Sequence, residues 1–226
     1  MAEIVAAMGV PHTPMFPALV ARLGPECEVA RLYAEVARQL AAVQPDVLVI
    51  FDSDHLNTFF LNNLPVFSVG VGARISGPND ETPMPHYEVP VHDRLAAHLR
   101  HGGVEAGFDL AMAQDFTVDH SIMVPLHFLT PQMQTPIVPM FINGLVPPLP
   151  EEPILEPLIA PLADEKSLQI INFQVHFVAE CGFWETASPI ESSIVRADMG
   201  SLGAVTLRLR RFWGPTEADK TPESWE

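Results

Sequence analysis

The chain has 226 residues, 48% of them hydrophobic, enough for one sizeable α/β domain and short for two. Acidic residues outnumber basic ones 28 to 12, and the formal net charge of −16 leaves no basic face for nucleic acid and disfavours anionic membranes. Two cysteines, Cys27 and Cys181, make neither a disulfide framework nor a cysteine zinc site; with no basic leader and no long apolar run, the sequence reads as a soluble cytoplasmic protein.

The first segment, "EIVAAMGV" (3–10), reads as a buried strand that runs into "PHTPMFP". Three prolines there exclude regular structure and place His12 on a rigid loop. Residues 25–45 have the helical period, with Val29, Leu32, Tyr33, Val36, Leu40 and Val43 on one face and Pro45 as the stop. "DVLVIFD" (46–52) is a continuous apolar run, as in a parallel strand covered on both faces, and "VFSVGVG" (66–72) is a third strand. This order predicts an α/β fold, one domain with a mixed, partly parallel central sheet flanked by helices.

Residues 73–90 read as a long loop, "VHDRLAAHLRHGG" as a short helix ending at glycine, and "FDLAMAQDF" as a strand. "VDHSIMVPLHFLTP" opens a helix with Asp119 as its N-cap, and "TPIVPMFING" (135–144) is another strand. The pattern changes after Pro150, dividing the chain into a core over 1–150 and an atypical segment over 151–226 packed on the same domain. Within that segment prolines interrupt "EEPILEPLIAPLADEK", "SLQIINFQVHFVAEC" and "AVTLRLRRF" alternate like strands, and the tail is polar.

Ligands of open α/β sheets bind outside the carboxyl ends of the strands. His12 follows the first strand and His55 the strand at 46–52, so two neighbouring parallel strands would bring both imidazoles to one edge. Two histidines and a carboxylate, with positions left open, suit non-haem Fe(II) and its oxygen chemistry. His120 stands at the start of an apolar helix, where it could act as general acid or base with Asp119 orienting its ring. The plainer alternative makes Asp119 a cap and His120 a solvated residue. His86, His92, His98 and His101 read as solvated, His127 as a satisfied core histidine, and His176 as able to face either way.

"GVPHTPMFP", "FDSDHLNTFF" with "LPVFSVGVG", "VDHSIMVPLHFL" and "PIVPMFINGLVPPLP" together resemble the class III extradiol ring-cleavage dioxygenases. This is the superfamily of the protocatechuate 4,5-dioxygenase β subunit and of 2,3-dihydroxyphenylpropionate 1,2-dioxygenase. The resemblance covers about residues 1–150. It implies that His12 and His55 ligate Fe(II), and that His120, accompanied by Asp119, contacts substrate and moves protons. It further implies a catecholic substrate opened next to its diol with O2, and a homo-oligomer or a partner subunit. Substrate selection is expected from the 73–90 loop and the segment around Asn57 and Phe59, with Arg74 a candidate for a substrate carboxylate.

Beyond residue 150 the sequence departs from the family pattern: no "GGxSH" turn occurs, and Val205 and Thr206 stand where a ligating glutamate is expected. Glu180, Glu185 and Glu191 are possible replacements, and His176 a possible second catalytic histidine. Either the C-terminal third supplies the missing carboxylate in rearranged form, or it is a foreign ending. The alternatives to a dioxygenase are a binding module on the same fold and a zinc hydrolase using the same two histidines.

Overall fold

A computed structural model describes residues 3–147 and 169–174. Eight strands and four helices occur there: β1 (Glu3–Met8), α1 (Phe16–Leu23), α2 (Glu28–Val43), β2 (Val47–Asp52), β3 (Phe67–Gly70), β4 (Arg74–Gly77), β5 (Tyr87–Pro90), α3 (Asp93–Glu105), β6 (Leu110–Ala113), α4 (His120–Leu129), β7 (Ile137–Ile142) and β8 (Gln169–Gln174). Six of the strands form one mixed sheet in the order β1-β8-β2-β7-β3-β6. β1, β8, β2 and β7 run parallel; β3 is antiparallel to β7 and parallel to β6. The α/β class and the partly parallel sheet read from the sequence are what the chain adopts.

All six residues of β2 are buried, which accounts for its unbroken apolar run and requires cover on both faces. α2 and α4 pack on each other and on β1 and β2, while α3 packs on β3, β6 and β7. α2 turns its predicted stripe inward, with Tyr33, Val36 and Leu40 buried. It ends where Gln44 enters the left-handed region (φ 47°), just before Pro45.

Four expectations are corrected. First, β1 and β2 are not neighbours: β8, the first part of the predicted strand in 167–181, lies between them and pairs with both. Because all three run parallel, the carboxyl ends of β1 and β2 still open on one edge. Second, the 73–90 segment is not all loop. β4 and β5 form an antiparallel hairpin around it, seated by buried Ile75 and Val89. Third, α3 continues through Gly102 and Gly103 to Glu105. The turn that ends it comes at Gly107, at a φ of 95° that glycine tolerates, where Gly107 N–H reaches Val104 O and Phe108 N–H reaches Gly103 O. Fourth, the exclusion of regular structure over "PHTPMFP" holds only as far as Met15: α1 begins at Phe16, inside that segment. Pro17 lies in its first turn, where a missing N–H leaves no bond unmade. The strand predicted over 204–212 and the proline-interrupted stretch lie outside the described residues. Among the described residues no helix is long and apolar enough to cross a membrane.

His127, on α4, is half-buried, and its Nδ1 lies 2.7 Å from the Tyr87 hydroxyl of β5. A neutral ring accepts that hydroxyl proton, and burial lowers the pKa of His127 from its ordinary value of 6.5. The unfolded chain therefore binds the proton more readily. Stability from this group is complete above about pH 6.5 and is lost as pH falls through that value toward the lower folded one. His127→Gln is expected to flatten this part of the pH–stability curve, measured by urea unfolding at a series of pH values; a superimposable curve would exclude His127. In the centre of the sheet, Leu48 is fully buried. Leu48→Ala is expected to cost about 2–5 kcal/mol of unfolding free energy by the same method.

Candidate metal centre

His12 leaves β1 on a loop clamped by Pro11 and Pro14. The loop is anchored from α2, where the buried Tyr33 hydroxyl donates to the Pro11 carbonyl. Tyr33 itself is wedged against Phe128, with ring centroids 4.5 Å apart, so packing in the helical layer sets the height of His12. His55 leaves β2 through a tight turn. Asp54 accepts the backbone N–H groups of Thr58 and Phe59, both at 2.8 Å, and Leu56 is forced to a φ of 61°. A leucine in the left-handed region is strained, and the strain is held here directly beside His55. His120 is the first residue of α4, whose N-cap is Asp119 as the sequence predicts; its Oδ1 accepts Ser121 N–H at 2.9 Å.

These three histidines meet at the carboxyl edge of the sheet. Ring centroids are 5.3 Å apart for His12 and His55, 5.8 Å for His12 and His120, and 4.5 Å for His55 and His120, whose planes are 27° apart. One ring nitrogen from each lies within 4.8 Å of the other two.

The carboxylates hold the outer sides of two rings. Asp119 Oδ2 lies 3.0 Å from His55 Nδ1 and accepts His55 N–H at 2.9 Å and Asn57 Nδ2 at 3.2 Å. Asp80 Oδ2 contacts His120 Nδ1 and accepts His120 N–H at 3.1 Å. Asp119 therefore orients His55, and the ring of His120 is held by Asp80 instead. Asp80 lies in the β4–β5 connection, 40 residues before its partner, and nothing local in the sequence marks it.

Charge is arranged as tightly as shape. Burial, with His55 and His120 close by, pulls the pKa of His12 down to about 3, so its ring is neutral. Burial works in the same direction on His55, but the hydrogen bond and charge of Asp119 outweigh it and raise the pKa, with help from Asp52 and Asp54. Asp119 is buried too; the hydrogen bonds from His55 and Ser121 overcome that penalty and hold its carboxyl well below the usual range. Asp52, fully buried at the end of β2, goes the other way: burial and the charge of Asp119 push its carboxyl far up.

This donor set fits a first-row divalent metal. With Nδ1 held by a carboxylate, His55 has Nε2 left open, the arrangement that would brace a metal-ligating histidine. His12 Nδ1 is buried with no hydrogen-bond partner. Asn57 is committed to Asp119 through its amide and to Asn79 through its carbonyl, and Phe59 packs edge-on against Phe141 at 5.4 Å. Arg74 is exposed on the hairpin and paired with Glu88 at 3.3 Å. Among the remaining histidines, His86 and His101 are exposed, while His92 caps α3 by accepting Leu95 N–H at 3.2 Å. Glu180, Glu185, Glu191 and His176 lie outside the described residues.

A family model described as the catalytic LigB subunit of aromatic ring-opening dioxygenase matches residues 6–155. Among curated proteins, a Klebsiella pneumoniae (strain 342) 2,3-dihydroxyphenylpropionate/2,3-dihydroxicinnamic acid 1,2-dioxygenase is 36% identical over 144 residues, covering 62% of this chain and 44% of the relative. The corresponding protein of Escherichia coli (strain K12 / DH10B) is 37% identical over 124 residues, covering 54% of this chain and 38% of the relative. The chain thus spans less than half the length of the curated relatives it matches.

Replacing Asp119 removes a helix cap and the brace on His55 together. Asp119→Ala is expected to weaken Zn(II) or Fe(II) binding roughly 10–100-fold in anaerobic titration. It is also expected to cost at least about 1 kcal/mol of stability. Undiminished metal affinity in a folded variant would detach Asp119 from the site.

Proposed function

The chain belongs to the family of the catalytic LigB subunit of aromatic ring-opening dioxygenases, and on that premise we propose that it opens a catecholic ring next to its diol with O2 and Fe(II). The observation that carries this reading is the meeting of His12, His55 and His120 at one sheet edge, with a nitrogen of each within 4.8 Å of the others. His12 and His55 are the proposed iron ligands. His12 offers a neutral imidazole, and His55 is turned toward the ion by Asp119. Bound there, ferrous iron would bring diol and dioxygen together and acidify the diol.

The remaining chemistry falls to this chain's own side chains. His120 is stacked on His55 and so stands over the same space, and its Nε2 is free because Nδ1 faces Asp80. It is placed to take the second hydroxyl proton of the diol and later return it. The aromatic wall of Phe59 and Phe141 lies on the segment that follows His55 and on β7. We assign Phe59 to the substrate wall and Asn57 to holding the His55 brace. The names of the relatives suggest a 2,3-dihydroxylated ring carrying a carboxylated side chain as the first substrate to try.

The test has two stages. The full chain, reconstituted anaerobically with Fe(II) and desalted, is expected to retain close to one iron. It is then expected to consume O2 and yield a product with the substrate's mass plus one O2. His12→Ala and His55→Ala are each expected to lose both iron and turnover; full activity in either would overturn the ligand assignment. Iron retained without O2-dependent product would favour the binding-module reading. Turnover that is independent of O2 would favour a hydrolase.

A further inference from the structure

We propose that Asp80 is a positioning residue that fixes the tautomer of His120, directing its lone-pair nitrogen into the site; the catalytic part of this inference rests on the function proposed above. Asp80 and His120 come from different elements, the β4–β5 connection and the first turn of α4. The connection is stitched to the segment that leads into α4. Val118 N–H donates to Ser76 O and Asn79 N–H to Val118 O, each at 2.9 Å. The Asn79 amide reaches Thr117 Oγ1 at 2.9 Å and Asn57 O at 3.2 Å. Gly77 allows this closeness, because a Cβ there would sit 2.3 Å from Val118 O. The loop is thus held where Asp80 must meet His120.

The contact has a chemical consequence. An ionised carboxylate only accepts hydrogen bonds. Asp80 is kept ionised: burial opposes this, but hydrogen bonds from Thr82 and His120 pull its pKa below the usual value. A neutral His120 ring facing it must therefore carry its proton on Nδ1. Its lone pair is then on Nε2, the nitrogen turned away from the carboxylate. Free imidazole side chains in water favour the opposite form, with the proton on Nε2, in which the exposed nitrogen could only donate. The side chains of both partners are mostly buried, 15% exposed for Asp80 and 11% for His120, so water competes weakly for the ring nitrogen. Asp80 thus makes His120 a base from the outset, as the buried aspartate does for the histidine of a serine-protease triad.

The tautomer can be read without turnover. Long-range 1H–15N NMR of the metal-free full chain at about pH 8, with His120 assigned through His120→Gln, is expected to show the Nδ1–H form in the wild type. In Asp80→Ala the Nε2–H form is expected to appear. Asp80→Ser retains a short turn-forming oxygen but cannot reach the ring, and it serves if the alanine variant does not fold. In the iron-loaded chain the Asp80 variant is expected to lose about 10–100-fold in kcat, with KM and iron content within about twofold of wild type. An unchanged His120 tautomer in a folded Asp80 variant would overturn the proposal, as would an unchanged kcat. If the wild type turns over no catechol, the function has failed, while the NMR measurement still decides the role of Asp80.

Discussion

One buried carboxylate holds the site together. Asp119 is 1% exposed, and an ionised carboxylate so placed is costly unless donors surround it. Here five donors do. Oδ1 takes the Ser121 amide and hydroxyl, and Oδ2 faces the His55 amide, the His55 ring and the Asn57 amide. Two of these groups belong to the first turn of α4 and three to the turn leaving β2. The same charge that caps the helix therefore fixes where His55 stands, and neither element can shift without leaving a buried charge unpaired.

The rest of the fold keeps that junction at the sheet edge. β2 is buried along its whole length, so its carboxyl end is a fixed point, and β7 pairs with it residue for residue from Leu48–Ile137 to Asp52–Phe141. α4 begins at the junction and runs across the helical layer, where Phe128 meets the Tyr33 ring whose hydroxyl steadies the His12 loop. The three histidines are thus tied to one another through packing as well as through hydrogen bonds.

Much of this was readable because the signals are local. The five-residue apolar run of β2, the stripe on α2, the capping Asp119 and the histidines that follow two strands are each visible within a short window. What escaped reading depends on pairing at a distance. Nothing in the alternation of 167–181 says that its strand inserts between β1 and β2. β4 and β5 have four residues each and seat themselves through one buried apolar side chain apiece, Ile75 and Val89, too few to make a pattern. Asp80 is an ordinary loop acid until the hairpin and α4 are assembled, and for the same reason the sequence pairs Asp119 with its neighbour His120, whereas its partner in space is His55.

The two braces also explain why so many acids can crowd three histidines. Asp119 and Asp80 are ionised because imidazole and backbone N–H groups pay for their burial, whereas Asp52, buried without a good donor and facing the charge of Asp119, is driven toward its neutral form. The edge therefore does not carry the full negative charge that its sequence suggests. Each ionised carboxylate is turned to the outer nitrogen of a ring, so the inner nitrogens are left to converge. If both aspartates faced inward they would occupy the space themselves. Because they sit behind the rings, they leave the centre open, and the imidazoles they hold become better donors of electron density to whatever binds among them.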